Sequence, residues 1–117
     1  MEQTTIRGAD GRVICESCAV ARGPLSRMRG LLGRASLPSG EGILLRPAGS
    51  VHTFFMRFTI DVVFLDRDLR VVHVAEHLRP WHTARGKGAK AVLELRAGEA
   101  MRRSIRVGDT LALGATG

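Results

Sequence analysis

Six side chains have the types and placement to line a site: Arg34, His52, Met56, Arg57, Asp61 and Glu94. Asp61 is the sharpest of them. It is the one charge in Thr59 to Leu65 (TIDVVFL), an otherwise nearly apolar run. A carboxylate there is costly unless it is paired or hydrogen-bonded. One reading is structural: Asp61 sits near the start of a strand and pairs with an Arg or with a turn backbone group. Arg57, four residues earlier, would share its face on a straight strand. The other reading is a carboxylate lining a pocket. With Glu94 or His52, Asp61 would then supply the acid and base of a small hydrolase, provided two groups reach one substrate atom. His52 alternates with Phe54 and Met56, and a lone His on an apolar face is more often a core or rim residue than a ligand.

Other residues invite chemistry and are read as bland. Cys15 and Cys18 form a CxxC. Redox dithiols of this kind open helices, whose N-termini lower the thiol pKa. The flanks VIC and CAVA favour a strand instead. Residues three apart on a strand point to opposite faces, so the sulfurs are expected to diverge as two small buried side chains. No second CxxC completes a zinc site, and His73 and His77 lie in a predicted strand tail, not on a helix. The GKG at 86–88 lacks the GxxxxGK[ST] setting of a phosphate loop. The sequence implies no metal and no cofactor.

These side chains need elements to hold them. TIDVVFL should be a strand covered on both faces, with Ile60, Val62 and Phe64 on one and Asp61, Val63 and Leu65 on the other. Asp66 to Leu69 supplies turn residues, and Arg70 to Val74 returns as the second arm of a hairpin. Upstream, Thr4–Arg7 and Arg12–Ala21 read as paired strands around Gly8–Gly11. Leu25 to Gly33 has apolar residues at helical spacing, with Pro24 at its start and Gly33 at its end. Gly42–Leu45 and Val51–Phe55 read as strands, with a bend at Met56–Thr59. Thr83–Gly88 reads as a mobile loop, Ala91–Leu95 as a strand, Gly98–Ser104 as a short helix, and Leu111–Leu113 as the last strand.

At 117 residues the chain is one domain, 1–117, large enough for a core. No run of 18 apolar residues marks a transmembrane helix, and the polar start lacks a secretory h-region. The expected compartment is the cytoplasm, and the expected state a monomer or weak dimer. The net charge of +7 and pI near 11.2 suggest nucleic acid only weakly. The basic residues are scattered, almost all are Arg, and Asn and Tyr are absent, as a GC-rich coding bias would produce. The densest basic stretch, Arg79 to Lys90, carries one aromatic, Trp81, where a stacking surface wants several.

The ordered motifs MRGLLGR (28–34), GEGILL (40–45), HTFFMRFTIDVVFLDRDLRVV (52–72), AVLEL (91–95), AG (97–98) and VGDTL (107–111) resemble the "domain of unknown function 192" family of small bacterial and archaeal proteins. The resemblance implies a mainly β fold: an antiparallel sandwich or partly open barrel with one or two short helices packed at its edge. The family's recurring positions fall on Gly30, Leu31, Arg34, Met56, Asp61, Asp66, Glu94, Gly98, Gly108 and Asp109. Relatives often carry Trp at the place of Phe55 and Gly at the place of Leu69, so the turn type is open to change here. Many relatives also carry an export signal. No reaction, substrate or cofactor follows from the resemblance. The preferred functional expectation is a binding or accessory module for a small molecule or a protein, with a polar-lined pocket near the central bend. The alternatives are the hydrolase above and non-specific nucleic-acid binding through the Arg surface.

Overall fold

The computed structural model describes residues 2–23 and 31–114. Among these, nine strands and one short helix follow in order: β1 (Glu2–Gly8), β2 (Val13–Ala21), β3 (Glu41–Leu45), β4 (Ser50–His52), β5 (Ile60–Leu65), β6 (Val71–Leu78), β7 (Thr83–Arg85), β8 (Ala91–Arg96), α1 (Glu99–Arg102) and β9 (Leu111–Leu113). Seven strands form one sheet, in the order β6-β5-β8-β3-β2-β1-β9. The remaining two, β4 and β7, pair with each other as a separate ribbon. The expected mainly β fold is what forms, with one correction: β2 and β3 run parallel, so the large sheet is mixed.

The sheet curls into a half-barrel whose outer strands meet at one end. There the Val71 N–H donates to Asp109 O at 2.8 Å, the Gly108 N–H to Val71 O at 2.8 Å, and the Leu111 N–H to Leu69 O at 2.9 Å. Curling removes part of the open edge that a flat sheet would present to other chains. Inside the curl lies one apolar cluster, with Ile6, Leu44, Val63, Leu93 and Leu111 drawn from five different strands. A second cluster covers the outer face of β3, β5 and β8 and includes Ile43, Val62, Phe64 and Val92. Leu31, Leu37, Val51 and Met56 lie over it.

β5 is central for a reason visible in its residues. All six are buried. Val62 and Phe64 face the outer cluster, while Val63 and Leu65 face the inner one, as alternation requires. Its neighbours are β6 and β8, both antiparallel. α1 seats Ala100 in the inner cluster and so closes one mouth of the curl. The predicted helix over Leu25–Gly33 lies outside the described residues except for its end, where Leu31–Gly33 form a turn. The extended arm expected over Val51–Phe55 stops at His52, and Thr83–Arg85, expected within a loop, is a strand.

Candidate functional site

The bend between β4 and β5 and the turn between β6 and β7 are fastened together by Thr53, which is fully buried. Its hydroxyl donates to Arg79 O at 2.6 Å and accepts from the His82 N–H at 2.9 Å. Its backbone N–H donates to His82 O at 2.8 Å, and its carbonyl accepts from the Trp81 N–H at 3.0 Å. One residue therefore sets Phe54 and Phe55 beside Trp81. The rings form a row. His52 stacks on Phe54 with centroids 4.8 Å apart, Phe54 on Trp81 at 5.8 Å, and Phe55 tilts against Trp81 at 4.6 Å. Phe55 is 71% exposed and Trp81 59%. Both hold left-handed backbone, at φ 66° and 67°. That conformation is costly for residues with a Cβ, by about 1–2 kcal/mol each.

The two chain segments that supply this row carry charge of one sign. From Gly42 to Ile60 and from His77 to Leu93 the chain contains no Asp or Glu, but it carries Arg46, Arg57, Arg79, Arg85, Lys87 and Lys90. All but Arg46 are exposed. None of the six enters an ion pair among the described residues, where the paired cations are Arg12, Arg22, Arg34, Arg102 and Arg103. Two grooves run along the ribbon, and the first of them reaches the rings. One, of about 580 Å³, is walled by Ser50, His52, Phe54, Thr83 and Arg85. The other, of about 540 Å³, is walled by Ser50, Arg85, Lys87, Gly88 and Lys90. Gly86 lets this second wall lie on the sheet, because a Cβ there would come within 2.5 Å of Phe64 Cβ.

The six residues singled out from sequence are distributed, not gathered. His52 lines the first groove. Arg57 is exposed in the bend, and Met56 is buried beneath it in the outer cluster. Arg34 lies in the loop before β3 and pairs with Glu41 at 3.3 Å. Asp61 is fully buried on the inner side of β5 and is saturated by backbone donors. Its Oδ1 accepts from His77 N–H, and its Oδ2 from Gly98 and Ala100 N–H, all at 2.9 Å. Arg57 is not its partner; turn and helix-end backbone is. Glu94 sits across from Val62 on β8, on the Val92 side of the sheet. Asp61 and Glu94 therefore face opposite sides, and the two carboxyls do not converge on one substrate atom. Burial pushes the Glu94 carboxyl up to about 7.

The family model for DUF192, described as "Uncharacterized ACR", matches residues 4–113. The chain belongs to the domain of unknown function 192 family. A UPF0127 protein of Pyrococcus abyssi is 43% identical over 61 residues, which are 51% of this chain and 51% of that relative. The match thus spans about half the length of this curated relative. Two solved structures share the fold. A protein of unknown function from Novosphingobium aromaticivorans has a TM-score of 0.77 at 27% identity, over 94% of this chain and 83% of its own. A protein described as a putative transcription regulator from Sinorhizobium meliloti has a TM-score of 0.84 at 24% identity, over 96% and 94%.

Three details of this DUF192 chain depart from what its sequence led one to expect. Leu69 occupies the hairpin turn where relatives often have Gly, yet it keeps the left-handed backbone that favours Gly, at φ 63°. Phe55, expected in an extended arm, holds left-handed backbone at φ 66° beyond the end of β4. The thiols of Cys15 and Cys18 do not diverge. Opposite them β1 advances two residues, Thr4 to Ile6, while β2 advances three, Cys15 to Cys18. This bulge turns both cysteines to the inner cluster, where both are fully buried. The Cys15 thiol donates to Gly40 O and the Cys18 thiol to Ala19 O, both at 3.5 Å; the closeness of the two thiols lowers the Cys15 pKa and, with burial, raises that of Cys18. Among the described residues no group of three or more His, Cys, Asp or Glu is placed to hold a metal ion. No helix there is long and apolar enough to cross a membrane.

Proposed function

We propose that this protein is a small binding module whose site is the lobe made by the β4–β7 ribbon and its flanking turns, and that its ligand is an anion. One observation carries the reading: a row of exposed rings lies beside five exposed, unpaired cations on two chain segments that hold no acid. Exposed aromatic side chains are energetically unfavourable in water and are the residues that dominate recognition surfaces. Left-handed backbone at Phe55 and Trp81 adds a conformational cost at the same spot, and such costs concentrate at functional sites. Clustered positive charge raises the local concentration of an anionic partner and speeds its arrival. The grooves fall within the range of about 300–1,000 Å³ usual for ligand clefts. His52 belongs to this site and Arg57 lies in the same bend. Asp61, Met56 and Glu94 belong to the frame beneath.

Thermal unfolding with a panel of anions tests the proposal: inorganic phosphate, pyrophosphate, polyphosphate, an acidic peptide, a mononucleotide and a short oligonucleotide. At least one should raise the midpoint saturably at low salt. The Arg85→Ala/Lys87→Ala double variant should weaken that ligand by about tenfold or more, since each lost charge contact is worth on the order of 1 kcal/mol. If no anion shifts the midpoint, or if the double variant responds like the parent, the lobe is not a binding site for anions.

A further inference from the structure

The two grooves share Ser50 and Arg85, so they form one trough with different ends. His52 and Phe54 stand at one end, with Trp81 stacked next to Phe54. Lys87 and Lys90 stand at the other. We infer that this trough takes single-stranded nucleic acid, with bases added to the ring row and phosphates lodged along Arg85, Lys87 and Lys90. The inference rests on the binding-module reading and names its ligand.

The arrangement selects among anions. A stacking row is useful only to a ligand that offers flat π faces, and each base stacked on an aromatic side chain contributes about 1–3 kcal/mol. Polyphosphate and acidic peptides rich in Asp and Glu offer charge without such faces. A duplex has faces, but its own base pairs cover them. The Phe54 ring lies 27–29° from parallel to the rings of His52 and Trp81, a near-parallel row that a base added on the more exposed Trp81 would extend. A lipid surface would need an apolar tip projecting from a convex rim. Here Lys87 and Lys90 line a groove instead of standing on such a rim. A strand of nucleotides can enter, because its charges and rings alternate along a flexible backbone. No base-edge reading is implied, so binding should be tolerant of sequence.

Trp81 is the protein's one tryptophan, so its fluorescence reports on the ring row. The full chain is titrated with a short thymidine oligonucleotide, its duplex with the complementary strand, polyphosphate, and phosphatidylglycerol vesicles. The single strand is expected to quench Trp81 emission saturably and to bind at least about tenfold more tightly than the duplex. About three phosphate contacts give a slope near −2 in log K against log salt. Phe54→Leu keeps an apolar side chain but removes the π face. It should weaken the single strand by about fivefold or more, and polyphosphate by clearly less. Circular dichroism confirms that the variant is folded, and Phe54→Tyr, which restores a ring, should restore binding. Equal loss for both ligands in Phe54→Leu, or equal affinity for single strand and polyphosphate without quenching, overturns the nucleic-acid inference and leaves the anion-binding module standing. A blue shift with vesicles and no quenching by the oligonucleotide overturns it in favour of a membrane surface. Binding of none of the four overturns the nucleic-acid inference, and the anion-binding reading falls with it if the thermal-unfolding panel is silent as well.

Discussion

Asp61 organises the region beneath the site without touching solvent. Its two oxygens hold three backbone N–H groups from two separate elements, the bulged end of β6 and the start of α1. Asp61→Asn keeps the shape but turns an amide N–H₂ toward donors that need an acceptor. Loss of about 3 kcal/mol is expected, read as a lower urea midpoint at unchanged m-value. Glu94 acts in the opposite sense. Its folded-state pKa is raised to about 7 from 4.5, so the native state holds a proton that the unfolded chain has released. Its effect is absent below pH 4.5. Stability then falls as pH rises toward 7 and stays lower beyond it, by about 3 kcal/mol at most. Glu94→Gln removes this slope. The variant should match the parent near pH 4 and exceed it at about pH 8 in urea unfolding. Burial alone would raise Glu99, but hydrogen bonds from Ser39, Arg103 and Arg102 together outweigh it and hold it below 4.5. Arg103 likewise lowers Glu16. Both depressed carboxylates stabilise the fold above 4.5, and that contribution is lost as pH falls through their folded values.

Two of the four register shifts in the β1–β2 and β5–β6 pairs do most of the shaping among the elements. The one in β2 places both cysteines inside the curl. The other lies in β6, where four residues from Ala75 to Leu78 oppose three on β5 from Ile60 to Val62. His77 there adopts φ 54°, which points its N–H at Asp61. Such extra residues bend a strand and re-aim its side chains. In the ribbon the equivalent device is the left-handed Phe55. A side chain that is exposed and conformationally unfavourable contributes little to folding, so Phe55→Gly should leave stability unchanged or raise it by up to about 1 kcal/mol. The same substitution should weaken single-stranded nucleic acid binding at the lobe. A fall in both stability and binding would mean that Phe55 is packing support instead. Thermal unfolding and the Trp81 titration, done on one sample, separate these outcomes.

At the scale of the molecule, the frame and the site differ in how firmly they are held. β5 and β8 have neighbours on both sides and apolar cover on both faces, whereas β4 and β7 share three residue pairs in a ribbon of their own. Amide hydrogen exchange should therefore be slowest in Ile60–Leu65 and Val92–Leu95, and faster by orders of magnitude in Ser50–His52 and Thr83–Arg85. Uniform protection would show that the ribbon is part of the core. The charge is also uneven. Six cations without acids lie on the two lobe segments, close to the whole net charge of +7. Added salt should thus affect binding at the lobe far more than it affects global stability, since the acids lie elsewhere in the chain.

Much of the frame was legible in the residues. An apolar run such as TIDVVFL must be covered on both faces, and its alternation correctly divides Val62 and Phe64 from Val63 and Leu65. Turn residues at Asp66–Leu69 gave the hairpin, and AVLEL gave its neighbour. These signals are local, and one strand's period of two carries them. Counting by two failed wherever a bulge inserted a residue, because a bulge is fixed by the partner strand and not by the strand's own sequence. So the cysteines converge and the His77 N–H turns to Asp61, whose other donors, Gly98 and Ala100, lie nearly 40 residues onward at the start of α1. The site was the least legible part. Trp81 stands alone in its basic stretch of the chain, and the Thr53 hydrogen bonds, with the β4–β7 pairing, bring Phe54 and Phe55 to it from the other side of β5 and β6. Sequence alone determined the composition of the lobe, its free positive charge and its rings. Tertiary structure decided that they meet, because a pair of turns far apart along the chain shares one buried hydroxyl.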